Sequence, residues 1–595
     1  MIGTYAAALA VCGASLAIGQ AAIVLCGARR WSWLAPAVGL ALLCAVCWGT
    51  VRIGGDGIVS AVAVGLLTVG SIAYLRGRSE GGGAALRAGW PVALLALSAA
   101  SLPFVVEGHF GILGTGFNPD MSQHLLATDR LAHGQGSQLL DQGYPLGPHA
   151  IVVALNKGLG IGLVQGFSGL TVAVAVLASL TALAAFAELK PLPRTAGALV
   201  VGLAYLVASY LAQGAFKETM QALFVLAFVL ALRESTRSWR DVPLRFAPAA
   251  LIAVGSVYTY SFAGLIWPIG IAVIWALMEL VVSRTRSPAV VRAVLLAVVV
   301  LAVFVTSEIG RMIDFQRFET FDPNGPGLGN LFGQISPFEA LGIWPSGDFR
   351  LAPGDGAVPA AGYCLAIAFA LALFVHGLVL CRRRRESALL AGVAAAALAY
   401  LAARTGGTPY TAAKAIEIAA PLAALTILLP LLNPVELRFL RPADVKGAVR
   451  RGRVAAAAAF VLAAGVCSVL ALANAPVGPT AYSSALTGMR PLVAADSTLV
   501  LASSELLDDQ HGVPYIAWEL RGGRVCIAPE GALSEPPPGV RFVVTRGSPA
   551  EPPFASLRVR QAAPPYVLWE TTRPVSGQSP CPPIAVRQAR QGPAR

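Results

Sequence analysis

Residues 2–51 read IGTYAAALAVCGASLAIGQAAIVLCGARRWSWLAPAVGLALLCAVCWGTV. Two long apolar runs are parted only by a short segment holding Arg29 and Arg30. Each run supplies the roughly 20 residues that cross about 30 Å of hydrocarbon as a helix. No water satisfies backbone groups at that depth, so each run must be helical. The first run has no basic segment ahead of it and a second run follows at once. It therefore reads as a retained helix and not as a cleaved signal.

The rest of the chain repeats this pattern. It has 595 residues, 56% hydrophobic and 13% charged, against about 25% charged in a soluble domain. Spans are expected near 2–26, 32–51, 58–75, 90–106, 167–188, 195–213, 219–233, 246–261, 264–282, 289–307, 361–380, 387–402, 411–432 and 453–474, about fourteen in all. The fold class is an all-α polytopic membrane protein with a small α/β or β-rich C-terminal domain.

Charge sets the orientation. The basic loops are Arg29-Arg30; Arg76, Arg78 and Arg87; Lys190 and Arg194; Arg233 to Arg245; Arg284 to Arg292; Arg382 to Arg385; and Arg438 to Arg453. With these spans all seven fall on one side, which the positive-inside rule makes the cytoplasm. The N-terminus and the C-terminal domain then lie outside a multi-pass protein of the cell (plasma) membrane. Pro148–Val164 is apolar enough to suggest another span, but counting it would put Arg233, Arg237, Arg240 and Arg245 outside. It is short and broken by Lys157 and several Gly, so an interfacial or re-entrant helix on the outer side is expected. The organisation is then 1–106, N-terminal membrane helices; 107–165, a first outer loop; 166–474, a membrane core with a second outer loop at 308–360; and 475–595, an extracytoplasmic domain with a disordered tail.

A formal charge of +13 would suggest nucleic acid in a soluble protein. Here the Arg and Lys sit in short loops between apolar runs, and no nucleic-acid partner is expected. The inner loops hold no GxxxxGK[ST] and no dinucleotide fingerprint, which argues against ATP-driven transport and cytosolic nucleotide-sugar chemistry. Seven of the nine Cys lie in or beside apolar runs; Cys526 and Cys581 lie in the C-terminal domain, where an oxidising exterior would let them pair. In that domain, strand-like runs occur at Thr498–Ala502, Val513–Trp518, Arg524–Ala528, Val540–Thr545 and Tyr566–Trp569. Asp508-Asp509-Gln510-His511 reads as an exposed turn or a metal-binding cluster.

The first outer loop carries the strongest chemical signal. Residues 116–155 read GFNPDMSQHLLATDRLAHGQGSQLLDQGYPLGPHAIVVAL, and four of the six His lie between His109 and His149. Asp120 and His124 are four apart, so a helix starting at Pro119 puts both on one face, with Asp129 roughly opposite. Asn118 as N-cap, Pro119 as first helical residue and Asp120 against the helix dipole form the plain structural reading.

This segment resembles the first outer loop of GT-C type membrane glycosyltransferases. The matching features are Asp120, His124, a helical stretch ending in Gly134, and Tyr144-Pro145-Leu146-Gly147-Pro148-His149 before an apolar helix. Four expected spans precede the loop, where the family usually has one. The resemblance implies a sugar donor on a polyprenyl phosphate, an envelope glycan or glycolipid acceptor, and Asp120 as general base with His124 in support. A carboxylate can take the proton of an acceptor hydroxyl as the new bond forms. A lipid-phosphate leaving group needs cations to hold it. A divalent cation is compatible but not demanded, because the loop has no paired acidic motif. A carbohydrate-binding role for the C-terminal domain would follow only from family members with such appendages.

Candidate phosphate holders are Lys414 and Arg404, which bracket Thr405 to Tyr410, then Lys217, which could instead pair with Glu218 or another acid, and Arg311 and Arg350 of the second loop. Cations at span ends are commonly anchors, but these run against the orientation bias. Tyr144 and His149 are further substrate-binding candidates. In the second loop Trp344 is an acceptor platform or a belt residue, and Asp348 and Arg350 are ligands or a local pair closing a turn. The rival functions are a lipid-linked glycan transporter or flippase, a glycan polymerase or ligase using outer Arg and His, and a membrane scaffold. No convincing internal repeat of the transporter kind is present.

Overall fold

A computed structural model describes residues 1–114, 120–283, 288–318, 327–329, 331, 333–433, 443–504 and 512–575. Asn118, Pro119, Asp508 to His511 and Cys581 lie outside them. The membrane part is helical throughout: α1 (Ile2–Leu25), α2 (Ala35–Val51), α3 (Ile58–Leu75), α4 (Gly82–Ala100), α5 (Leu102–Val106), α6 (Asp120–Ala132), α7 (Gln138–Asp141), α8 (Gly147–Leu159), α9 (Leu163–Phe186), α10 (Pro191–Gly202) and α11 (Tyr205–Ala212). It continues with α12 (Phe216–Arg237), α13 (Ala247–Tyr260), α14 (Ile266–Ser283), α15 (Pro288–Val305), α16 (Ile309–Phe315), α17 (Ala360–Arg383), α18 (Ser387–Gly406), α19 (Pro409–Leu432) and α20 (Ala443–Ala473).

Every expected span coincides with a helix, but the count of fourteen is not reached on length and apolarity. Among the described residues ten stretches are long and apolar enough to cross a membrane, or eleven if α10 and α11, bent by 53°, form one span. Helix α2 has only 17 residues, and α12 carries five charges, Lys217, Glu218, Arg233, Glu234 and Arg237. The stretch 247–280 counts once among the ten, yet it is a hairpin. Phe246 and Trp275 have ring centroids 5.7 Å apart; a straight helix would separate residues 29 apart by about 43 Å. The reversal is the 3₁₀ turn Ser261–Leu265, where Ser261 takes φ 56°.

Small residues let the helices touch backbone to backbone, as membrane helices do. A Cβ on Gly19 would lie 1.9 Å from the Ala35 carbonyl oxygen, and one on Gly39 would lie 1.8 Å from that of Ser15. Any larger side chain at either position forces α1 and α2 apart.

The polar ends sort into two groups. At one end Arg233 and Arg237 bind Glu386 at 3.0 and 2.9 Å, Ser387 bonds Glu279, and Gln20 Nε2 donates to the Arg30 carbonyl and meets Ser79. The basic loops after α1, α3, α12 and α17 therefore share an end. The first outer loop, the start of α12, the α13–α14 turn and the start of α19 share the other. Helix α8 lies at that end, packed against α2, α3 and α9, with His149 to Val153 buried.

The C-terminal domain adds α21 (Ser484–Val493), α22 (Gly512–Glu519) and a five-stranded sheet: β3 (Ser497–Ala502), β4 (Arg524–Pro529), β5 (Phe542–Arg546), β6 (Leu557–Ala563) and β7 (Tyr566–Thr571), ordered β4-β3-β5-β7-β6. Strand β3 is parallel to both neighbours, and the β5–β7 and β7–β6 pairs are antiparallel. The domain is thus α/β. The expected strand Val513–Trp518 is helix α22 instead: a short apolar aromatic run fits either period, and tertiary packing decides. Cys526 is disulfide-bonded. A two-stranded ribbon, β1 (Ile112–Leu113) with β2 (Val477–Gly478), ties the first outer loop to the linker after α20.

Candidate active site

Helix α6 begins at Asp120 and carries His124 one turn later, on the side turned to the bundle. His149, near the start of α8, brings Nε2 to 3.0 Å from His124 Nδ1. Both rings are buried among Phe167, Phe216 and Tyr144. Burial, with the charges of His149, Lys217 and Lys414, holds His124 well below the usual imidazole value. Burial alone takes His149 to about 3. The pair is neutral at ordinary pH, one ring donating to the other. This fixes the rotation of His124.

Two lysines enter from α12 and α19. Lys217 Nζ lies 3.9 Å from the centroid of the Tyr144 ring, a contact worth about 2 kcal/mol when water is excluded. The electrostatic neighbours of Lys217 are Glu218, Lys414 and Asp120. Lys414 Nζ sits 2.9 Å from Glu218 Oε1 and 4.1 Å from the Tyr410 ring centroid. Tyr260 donates to the same Glu218 oxygen at 3.4 Å. Tyr410 feels Lys414, Asp120 and Glu218. One turn deeper on α19, Glu417 is fully buried, and among the described residues neither oxygen has a hydrogen-bond partner.

The two outer loops meet here. Phe315 and Phe318 pack on the Tyr144 ring at 5.5 and 5.4 Å, and the Tyr410 N–H donates to the Gly327 carbonyl at 3.2 Å. Arg311 donates to the Tyr144 and Leu140 carbonyls at 2.6 and 3.3 Å. Arg311 is itself held by Glu308, which also accepts from Trp48 Nε1. Residue 144 is thus gripped from both faces.

His124, Tyr144, His149, Lys217 and Lys414 lie together, with Asp120 within electrostatic reach of Lys217 and Tyr410. Arg404 does not join them: it is exposed at the end of α18 and makes no ion pair among the described residues. Trp344 is buried edge-on against Tyr363 at 5.0 Å. Asp348 and Arg350 form a two-pronged local pair, 2.9 and 2.8 Å, that closes a turn. Among the described residues no three His, Cys, Asp or Glu side chains are grouped to hold a metal ion.

No family model matches the sequence, and no curated protein sequence matches it. Solved structures do resemble it in backbone course. One is the arabinofuranosyltransferase AftD from Mycobacteria, at 15% identity and a TM-score of 0.49, covering 82% of this chain and 40% of that one. Its R1389S mutant gives 16%, 0.43, 83% and 42%. A third is the archaeal oligosaccharyltransferase AglB from Archaeoglobus fulgidus, at 14% and 0.42, covering 77% and 69%. The chain spans about two fifths of the AftD length.

The sequence alone points neither to Tyr260 nor to Glu417, and to Glu218 only as a neighbour of Lys217. The usable signal was acid inside apolar runs, since a buried carboxylate needs a partner or a function. Glu218 was masked by its neighbour Lys217, to which adjacency alone assigned it; on a helix, adjacent residues point about 100° apart.

Proposed function

We propose that this chain is a GT-C type glycosyltransferase of the plasma membrane, moving a sugar from a polyprenyl-phosphate carrier to an envelope glycan or glycolipid outside the cytoplasm. The observation that supports the reading is two lysines, Lys217 and Lys414, beside Glu218 at the end of the bundle away from the basic loops, with Asp120 within electrostatic reach of Lys217. In a single inverting displacement, Asp120 takes the acceptor hydroxyl proton while that oxygen bonds the anomeric carbon. The bond from that carbon to the phosphate oxygen breaks, and the electron pair leaves with the lipid phosphate. Lys414 and Lys217 hold that anion in a site with little water, where charge acts strongly. The neutral His124–His149 pair braces the bundle-facing side of α6. Two lysines near the base suit a stable phosphate leaving group, and Glu218 is already engaged by Lys414 and Tyr260. Arg404, exposed and remote in its contacts, has no part in this scheme.

The test is envelope glycan composition by mass spectrometry in cells carrying Asp120→Asn, wild type or a deletion, with membrane levels of the protein checked. The expected result is that Asp120→Asn reproduces the missing sugar of the deletion while the protein accumulates normally. Unchanged glycans in Asp120→Asn, with altered glycans in the deletion, would sink the base assignment.

A further inference from the structure

The helix that starts with Asp120 is short, and both of its faces are occupied. Asp129 follows Asp120 by nine residues, which at about 100° per residue is half a turn round the helix. The Asp120 side faces the lysines. The Asp129 side faces the C-terminal domain, where Arg521 Nε lies 3.7 Å from its carboxylate. Arg521 is held in turn: its guanidinium stacks 3.5 Å over the Trp518 ring, and Nη1 donates to the Trp518 carbonyl at 2.8 Å. Arg490 and Arg130 add to the field on Asp129, and His133 lies 3.9 Å from it.

Apolar contacts cross the same boundary in both directions. Leu126 of α6 packs against the core of the C-terminal domain. Tyr515 and Trp518 of α22 belong to the core of the helical bundle. Upstream of Asp120, Ile112 and Leu113 pair with Gly478 and Val477, and His109 Nε2 meets the Val477 carbonyl at 3.0 Å. The segment bearing Asp120 is therefore tied on both sides to residues 477–521. A 13-residue helix has little stability of its own in water, so its setting comes from what packs on it.

We propose that the C-terminal domain is the positioning element of α6, with Arg521, acting through Asp129, setting the rotation at which Asp120 is presented to the lysine pair. Arg521 is a positioning residue and touches no substrate. Burial pushes Asp129 up and Arg521 down to about 10, as for a pair shielded from water. This rests on the glycosyl-transfer reading only for its consequence; the mechanical link stands by itself.

The experiment uses the full chain in nanodiscs, with hydrogen exchange read over residues 121–132. Arg521→Glu is expected to speed exchange there at least tenfold, while strands β3 and β5 keep wild-type protection. Arg521→Lys, which keeps the charge, is expected to stay within about threefold of wild type. In cells Arg521→Glu should lose the same sugar as Asp120→Asn at normal protein level. Wild-type exchange of 121–132 in Arg521→Glu overturns the proposal. So does a loss of protection that spreads to β3 and β5, because Arg521 would then support the domain and not α6. If Asp120→Asn leaves glycans intact but the exchange result holds, the transfer reading fails and the positioning link survives.

Discussion

The two ends of the helical bundle handle buried charge in opposite ways. At the basic-loop end, Glu386 is shared by Arg233 and Arg237, and its neighbours close on one another. Glu234 also lies 3.9 Å from Arg233, so two arginines face two glutamates and the charges balance. At the other end Lys414 and Glu218 pair, but Lys217 leans on an aromatic ring and Glu417 has no hydrogen-bond partner among the described residues. Both ends spend folding energy on ion pairs, and only one keeps charge in reserve. A buried pair by itself therefore does not mark a site; an incompletely matched set does.

This contrast can be broken by substitution. The largest effect is expected for Asp120→Asn: transfer measured with isolated membranes should fall about 10²–10⁴-fold, the usual contribution of a general base, with thermal stability unchanged. Next comes Lys414→Met. It strands Glu218 without its partner, which costs about 3–5 kcal/mol, and transfer should fall about 10²–10³-fold. The double variant Lys414→Met/Glu218→Gln should regain stability but not transfer. Glu386→Gln, at the matched end, should lose comparable stability and keep its activity per folded molecule. Transfer lost in Glu386→Gln, at equal folded protein, would erase the distinction between the ends.

A smaller effect concerns pH. His149 is held near 3 and His124 well below its usual value, whereas an unfolded imidazole titrates near 6.5. The unfolded chain thus takes up protons that the native pair refuses, so stability should decline as pH falls from about 6.5 toward 3. Thermal unfolding in detergent across that window should show the slope, and His149→Gln should reduce it. Arg404→Ala should give the smallest effect, within about 0.5 kcal/mol and with unchanged transfer, as for an ordinary surface site.

The helices were legible because hydrocarbon thickness dictates run length, and the grouping of basic loops was legible from charge alone. Asp120 and His124 were legible because a four-residue spacing is a helical face. Lys217 and Lys414 stood out as cations on the sparsely charged side. Arg404 has the same sequence signature as Lys414, yet α18 ends with it turned outward; which way a helix end points depends on its neighbours. Trp344 and the Asp348–Arg350 pair looked alike as loop chemistry, but burial separates the first and a local turn absorbs the second. Helix α22 was misread because eight residues are too few for the period to declare itself. Its packing against α6 involves partners almost 400 residues away, which no local pattern encodes.

The β1–β2 ribbon also sets an order of assembly. Ile112 waits for Gly478 as its partner, and at about 5–20 residues per second the ribosome needs roughly 20–70 s to supply it. During that interval both lysine-bearing helices can insert and pack while the segment that leads into α6 lacks its ribbon partner. A nascent chain halted before residue 477 would have α6 held by its bundle contacts alone, without the ribbon that fixes the segment ahead of it.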